Sequence, residues 1–229
     1  MHPTEVRVAW DHSPTRRAWI LHMVTIPCRL VGWGVVWIAC LAVPVSFLSP
    51  VYFVLFIPLM LYATYRAVLQ IGYFPWSINI KRVLQQYPWQ LLHDVPRGRT
   101  KHPRADEDEL WYEIPNPDKP EEGVPLLFLA NMRVLWWVRR FGTNKTKPEL
   151  KGQIEPLWFA GDPRFYAVVA APGRGGNAPR RLHFLYQRSA RWDTRVPTVD
   201  WNADPVALDR ARRAGARVPE PAHPQSPPR

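Results

Sequence analysis

From Leu30 to Tyr65 the chain runs for 36 residues without an Asp, Glu, Lys or Arg, bracketed by Arg29 and Arg66. One bilayer-spanning helix takes ~20 mainly apolar residues, so this run is too long for a single span and nearly long enough for two. Phe47-Leu48-Ser49-Pro50 places polar and helix-breaking positions near its midpoint. The pattern therefore predicts a transmembrane helical hairpin with its turn over 46–51, helix one at about 28–47 and helix two at about 51–71. Pro44 and Pro58 are compatible with such helices, because neighbouring groups re-satisfy the carbonyls that proline frees. Ser77 to Gln86 carries a partial apolar stripe in Ile78, Ile80, Val83 and Leu84, which predicts a short helix continuing from the membrane. Tyr87-Pro88-Trp89 stops it, and Trp89 has two docking options, the following domain or lipid headgroups.

Beyond a polar stretch of alternating charge sign, Asp94 to Glu109, read as a solvated linker, the pattern changes to short apolar runs separated by turn residues. Leu110–Ile114, Val124–Ala130, Arg133–Phe141, Leu157–Ala160, Phe165–Ala170 and Leu182–Gln187 are the expected strands. Their separators contain Pro115-Asn116-Pro117-Asp118, Gly161-Asp162-Pro163-Arg164 and the glycine-rich loop 173–177. Sequential strands joined this way pair antiparallel, as a meander or partly open barrel. Leu126 to Phe141 also reads as one amphipathic or interfacial helix, so that stretch stays open. Asp204 to Ala216 offers an N-cap Asp and Pro at the first helical position, predicting a short surface helix; a Pro-rich tail expected to be disordered follows. The fold class is α+β, divided into 1–27 N-terminal segment, 28–73 transmembrane hairpin, 74–109 juxtamembrane helix and linker, 110–200 β-rich cytoplasmic domain, and 201–229 helix and tail.

Composition orients this picture. Basic residues outnumber acidic ones 30 to 19, and +9 of the net +11 lies from Arg66 onward. Arg16, Arg17 and Arg29 precede helix one, Arg66, Lys81 and Arg82 follow helix two, and the turn between has no basic residue, so both termini are expected in the cytoplasm. Each charge-free half is ~27 Å long, slightly short of a ~30 Å hydrocarbon core, which puts Arg29 and Arg66 near the interface with snorkelling side chains. Trp33, Tyr73 and Trp76 reinforce that boundary. The membrane-interface residues are therefore Arg29, Arg66, Trp76, Lys81 and Arg82. The two cysteines, Cys28 and Cys40, supply neither a disulfide framework nor four zinc ligands.

No catalytic motif emerges. Gly173 to Ala178 matches the spacing of a dinucleotide-binding fingerprint, but Pro179 and a β-like run follow where a helix is required, so a hairpin loop is expected. His93 and His102 are close in sequence and read as solvated, as does the acidic run Asp106 to Glu109. Asp162 and Arg164 fit a tight turn better than a ligand contact. Trp136-Trp137 and Arg139-Arg140 suit a β core and an edge facing anionic lipid better than a nucleic-acid surface, making nucleic acid an unlikely partner. Asn144-Lys145-Thr146 is a glycosylation sequon that a cytoplasmic placement makes inert.

The paired apolar runs, the segment Lys81 to Trp89 (KRVLQQYPW), the segment Trp158 to Phe165 (WFAGDPRF) and an Arg-rich, Pro-rich composition together resemble an uncharacterised actinobacterial family of two-span integral membrane proteins. The resemblance covers about residues 28–190 and implies no activity, cofactor or catalytic residue; the loop from Gly173 to Pro179 departs from its pattern. The functional expectation is a non-enzymatic membrane protein tethering a basic β-rich domain at the cytoplasmic face, with anionic lipid and a protein partner as ligands. The alternative is an accessory subunit of a larger membrane transport or secretion complex, suggested by the small-residue aspect of Gly32, Gly34, Ala39 and Ala42.

Overall fold

The computed structural model describes residues 5–47, 52–99, 109–129, 134–141, 146–173, 175–187 and 203–218. It divides into two compact units, Arg16–Ile78 and Met1–Thr15 with Asn79–Arg229. Helix α1 spans Ser13–Phe47 and helix α2 spans Phe53–Gln86. The expected turn residues 48–51 lie outside the described residues. α1 starts well before residue 28, because Pro14 falls in a first helical turn, where its missing N–H costs nothing, and nothing after it breaks the helix. α2 likewise continues through the expected juxtamembrane helix without a break at Pro75.

Within the first unit the two helices form a hairpin whose interior is narrow. Ile26, Cys40 and Ala63 are buried, and Trp33 meets Tyr62 edge-to-face at 5.4 Å. Farther from the turn, Ser77 ties the pair together. Its hydroxyl donates to the Tyr73 carbonyl at 3.0 Å and lies 3.1 Å from His22 Nε2, while Trp19 Nε1 donates to the Ser77 carbonyl at 2.9 Å. Elsewhere the apolar side chains point outward. Both helices are long and apolar enough to cross a membrane, and only 11% of the most apolar 18-residue window of each is buried.

The second unit is built on a sheet. Among the described residues, β1 (Gln90–Leu92), β2 (Arg97–Arg99), β3 (Leu110–Pro115), β4 (Gly123–Phe128), β5 (Leu157–Gly161), β6 (Tyr166–Pro172) and β7 (Pro179–Tyr186) form one antiparallel sheet in the order β1-β5-β6-β7-β4-β3-β2. Two meanders, β2-β3-β4 and β5-β6-β7, meet where β4 pairs with β7. β1 and β2 are therefore opposite edges, yet only residues 93–96 separate them in the chain. A flat seven-stranded sheet measures ~29 Å across, and five Cα steps reach at most ~18 Å. The sheet must curl, and it forms a half-barrel. Across its open seam Arg97 of β2 pairs with Glu155, just before β5, at 3.0 Å.

The short edge strand β2 corrects part of the linker reading of 94–109. Nothing apolar in Arg97-Gly98-Arg99 marks it; it exists because Gly98 lets the Trp111 indole lie across it, where any Cβ would collide. Residues 100–108 lie outside the described residues.

The concave face holds the core: Leu110, Tyr112 and Ile114 of β3, Leu126 and Phe128 of β4, Leu157 and Phe159 of β5, and Val169 of β6, alternating as strand geometry demands. Helix α3 (Leu135–Phe141) fills the concavity with Trp137 and Phe141, replacing the strand expected over Arg133–Phe141 and shortening the alternative helix over Leu126–Phe141. The physical reason is Arg139. A strand that buries Trp137 and Phe141 buries Arg139 between them, whereas one helical turn joins the two aromatics and leaves Arg139 exposed. A short helix α4 (Pro148–Lys151) and a turn through Ile154 complete this side.

The convex face is also covered. Trp158, Ala160, Val168 and Ala170 are fully buried, so β5 and β6 read as continuous apolar runs, as two-sided burial requires. Trp158 packs edge-to-face on Trp89 at 5.5 Å and against His12 at 5.9 Å. Trp89 thus docks on the domain. Its Nε1 donates to Thr15 Oγ1 at 2.9 Å, Thr15 Oγ1 lies 3.0 Å from His12 Nδ1, and the Ala9 N–H donates to the Tyr87 carbonyl at 2.8 Å. Helix α5 (Pro205–Arg213) begins as expected, with Asp204 capping the Ala207 N–H at 2.6 Å. Arg210 lies over the Tyr87 ring at 5.7 Å.

Candidate functional site

The five expected interface residues are divided between the two units. Arg29, Arg66 and Trp76 belong to the hairpin unit; Lys81 and Arg82 belong to the sheet unit. Arg29 is exposed on α1. Arg66 is half-buried, with its guanidinium 5.2 Å from the Trp33 ring centroid, 5.7 Å from that of Tyr62, and donating to the Tyr62 hydroxyl at 3.2 Å. The residue types made Trp33 and Arg66 look like separate anchors, yet the hairpin pairs them. Exposed apolar side chains also continue past both arginines, to Leu21 and Val24 on α1 and to Val68 and Ile71 on α2. Lys81 Nζ sits 5.3 Å over the Trp10 ring, and Arg82 borders Gly215 beyond α5.

Several chemical candidates resolve into architecture. The turn from Gly161 to Phe165 needs glycine at its first position: φ is +147° and a Cβ would overlap the Ala167 backbone. Arg164 is 4% exposed and gripped by Asp162, with Nε to Oδ1 at 2.9 Å and Nη2 to Oδ2 at 2.7 Å; its Nη1 reaches Asp118 in the β3–β4 loop. Burial works against the Arg164 charge, but hydrogen bonds and charge from Asp162 and then Asp118 outweigh it, so its pKa moves up. This group is satisfied internally and joins two loops. The Gly173 N–H donates to the Ala178 carbonyl at 2.7 Å and strand β7 begins at Pro179, so no helix follows to receive a dinucleotide. His93 is exposed, and no cluster of metal-ligating side chains occurs among the described residues. His102, Asp106 to Asp108, Asn144 and Lys145 lie outside them.

One constellation is not absorbed by the fold. The half-buried Trp136 ring receives Arg140 at 3.8 Å, Arg180 at 5.6 Å and Arg181 at 5.7 Å. Arg140 is aimed by its Nε donating to Gln153 Oε1 at 2.9 Å and its Nη1 to the Trp136 carbonyl at 3.0 Å. Partial burial, then the neighbouring charges of Arg180, Arg181 and Arg139, lower its pKa. The last turn of α3 accounts for Arg139 and Arg140, since cations are favoured at a helix C-terminus. It does not account for Arg180 and Arg181. Successive strand residues point to opposite faces, yet both approach one ring. An irregularity in the β6–β7 ladder produces this: Val169 pairs with His183 but Ala171 with Arg180, leaving one extra residue on β7, and Arg181 takes φ +57°. Sequence reasoning singled out Trp136, Arg139 and Arg140 but not Arg180 and Arg181, because adjacency alone predicts opposite faces. The single available signal was a second Arg-Arg pair opening a strand.

Compared with family models, curated proteins and solved structures, the chain matches none of them.

Proposed function

We propose that this chain is a non-enzymatic integral membrane protein whose hairpin tethers a basic β-rich interaction domain at the cytoplasmic face of a bacterial inner membrane. The observation that carries this reading is the outward display of apolar side chains around both helices: a helix that is apolar all round needs either a protein interior or lipid, and only 11% of each window is buried. Kinship with the actinobacterial two-span family belongs to the same proposal. Arg29, Arg66, Trp76, Lys81 and Arg82 are its anchors, and each basic residue near an anionic surface contributes ~1 kcal/mol. Anionic lipid and a protein partner are its ligands. Reporter fusions test the orientation: both termini give cytoplasmic signals, and an external signal from either contradicts it.

A second reading, as an accessory subunit of a larger transport or secretion complex, is favoured by one observation. A Cβ placed on Gly32 or Gly34 meets nothing within 4 Å, and Ala39 and Ala42 are exposed, so this small-residue aspect of α1 is not used against α2. Photocrosslinkers at Gly32 and Ala39 capture a foreign helix if this reading holds; recovery as monomer or self-pair alone contradicts it.

A further inference from the structure

We propose that Arg140, Arg180 and Arg181, gathered around Trp136, with Arg139 beside Arg140 in the last turn of α3, form a binding site for a phosphate group, carried either by a lipid headgroup or by a free phosphate compound. This rests on the reading of the sheet unit as an interaction domain and gives that domain a ligand.

Three observations converge on it. The first is the missing counter-charge: among the described residues no carboxylate pairs with any of the four arginines, although in the same unit Arg97 has one and Arg164 has two. The second is an unused donor: Arg180 Nε is buried and has no acceptor among the described residues, a state that a protein avoids unless something else fills the role. The third is backbone strain. A non-glycine residue at φ +57° is disfavoured, and here that conformation, with the extra residue in β7, brings two guanidiniums to the same side. Like charges held together against repulsion, with a strained residue in the strand and no carboxylate partner among the described residues, fit an anion that neutralises them. Guanidinium forks match phosphate oxygens in pairs. The Trp136 ring holds three of them near its face, and Gln153 and the Trp136 carbonyl fix the direction of Arg140.

The test uses the full chain in non-ionic detergent at low ionic strength, titrated by calorimetry with inorganic phosphate in one arm and short-chain phosphatidylglycerol in the other. The wild type binds at least one of them, and the arm that binds identifies the source. Arg180→Gln combined with Arg181→Gln weakens that binding by about tenfold or more, as loss of two charge-assisted hydrogen-bonding groups should. Arg7→Gln with Arg217→Gln removes the same net charge from exposed positions elsewhere in the unit and leaves binding within about twofold. Arg181→Gly separates ligand contact from folding: glycine accepts positive φ, so the variant keeps or raises its thermal midpoint while binding weakens. No binding of either probe by the wild type overturns the proposal. So does equal weakening in the two double variants, or unchanged binding in Arg181→Gly. The phosphate arm needs no membrane, so failure here is distinguishable from failure of the tether: a chain anchored in lipid can fail this titration, and a water-soluble chain can pass it.

Discussion

Val35 on α1 and Val169 on β6 are the same side chain in opposite circumstances: the first is 60% exposed and the second is fully buried. The contrast extends through both regions. In the hairpin, valines, leucines and isoleucines face outward, while Ser77, Gln70 and Ala63 are buried. In the sheet unit, both faces of β5 and β6 are covered, and the buried Arg164 is paired with Asp162. Burial of apolar surface stabilises the second arrangement in water. It gives no account of the first, where the apolar surface must be matched by the surroundings. On the proposed reading, two regions of one chain face two solvents.

Substitutions can break this comparison. The largest expected effect is in the sheet: Phe159→Ala, in the half-barrel core, destabilises that unit by about 3–5 kcal/mol, whereas Val35→Ala shifts stability by no more than about 0.5 kcal/mol. Denaturant titration in detergent, followed by near-ultraviolet circular dichroism, checks both; a large effect at Val35 places it in a protein interior. Next comes Ile38→Arg on an outward position of α1. A buried charge in lipid costs about 2.5–3.5 kcal/mol in insertion, while the same change on a water-facing surface is nearly neutral, within about 0.5 kcal/mol. A translocon insertion assay separates these outcomes.

Smaller effects sharpen the description of the covered convex face. Trp89→Phe keeps the ring on Trp158 but removes the donor to Thr15, costing about 1 kcal/mol. Burial lowers the pKa of His12 from 6.5, so the folded unit holds this proton less tightly than the unfolded chain does. Stability is therefore fully present above pH 6.5 and declines as pH falls below it. His12→Gln flattens that dependence, measured as denaturation midpoints at two pH values, and an unchanged slope contradicts the assignment.

What could be read from the chain depended on how local the cause was. The uncharged 36-residue run and the Asp204-Pro205 helix start carry their own signals, and the structure has helices at both. The strands at 110–115, 157–161 and 166–172 were legible from apolar runs bounded by turn residues. β2 was not, because Gly98 is meaningful only once Trp111 lies beside it. Nor was the packing of Ala9, His12 and Thr15 with Tyr87 and Trp89, since about 75 residues and two long helices separate them in sequence. The Trp136 cluster was half legible: Arg139 and Arg140 stood out, but only the ladder irregularity brings Arg180 and Arg181 to the same ring.

The most direct test of the two-solvent account is alkaline carbonate extraction of membranes from cells expressing the full chain. Retention of the chain in the pellet, with release only by detergent, is the predicted result. Release into the soluble fraction by carbonate alone would contradict it.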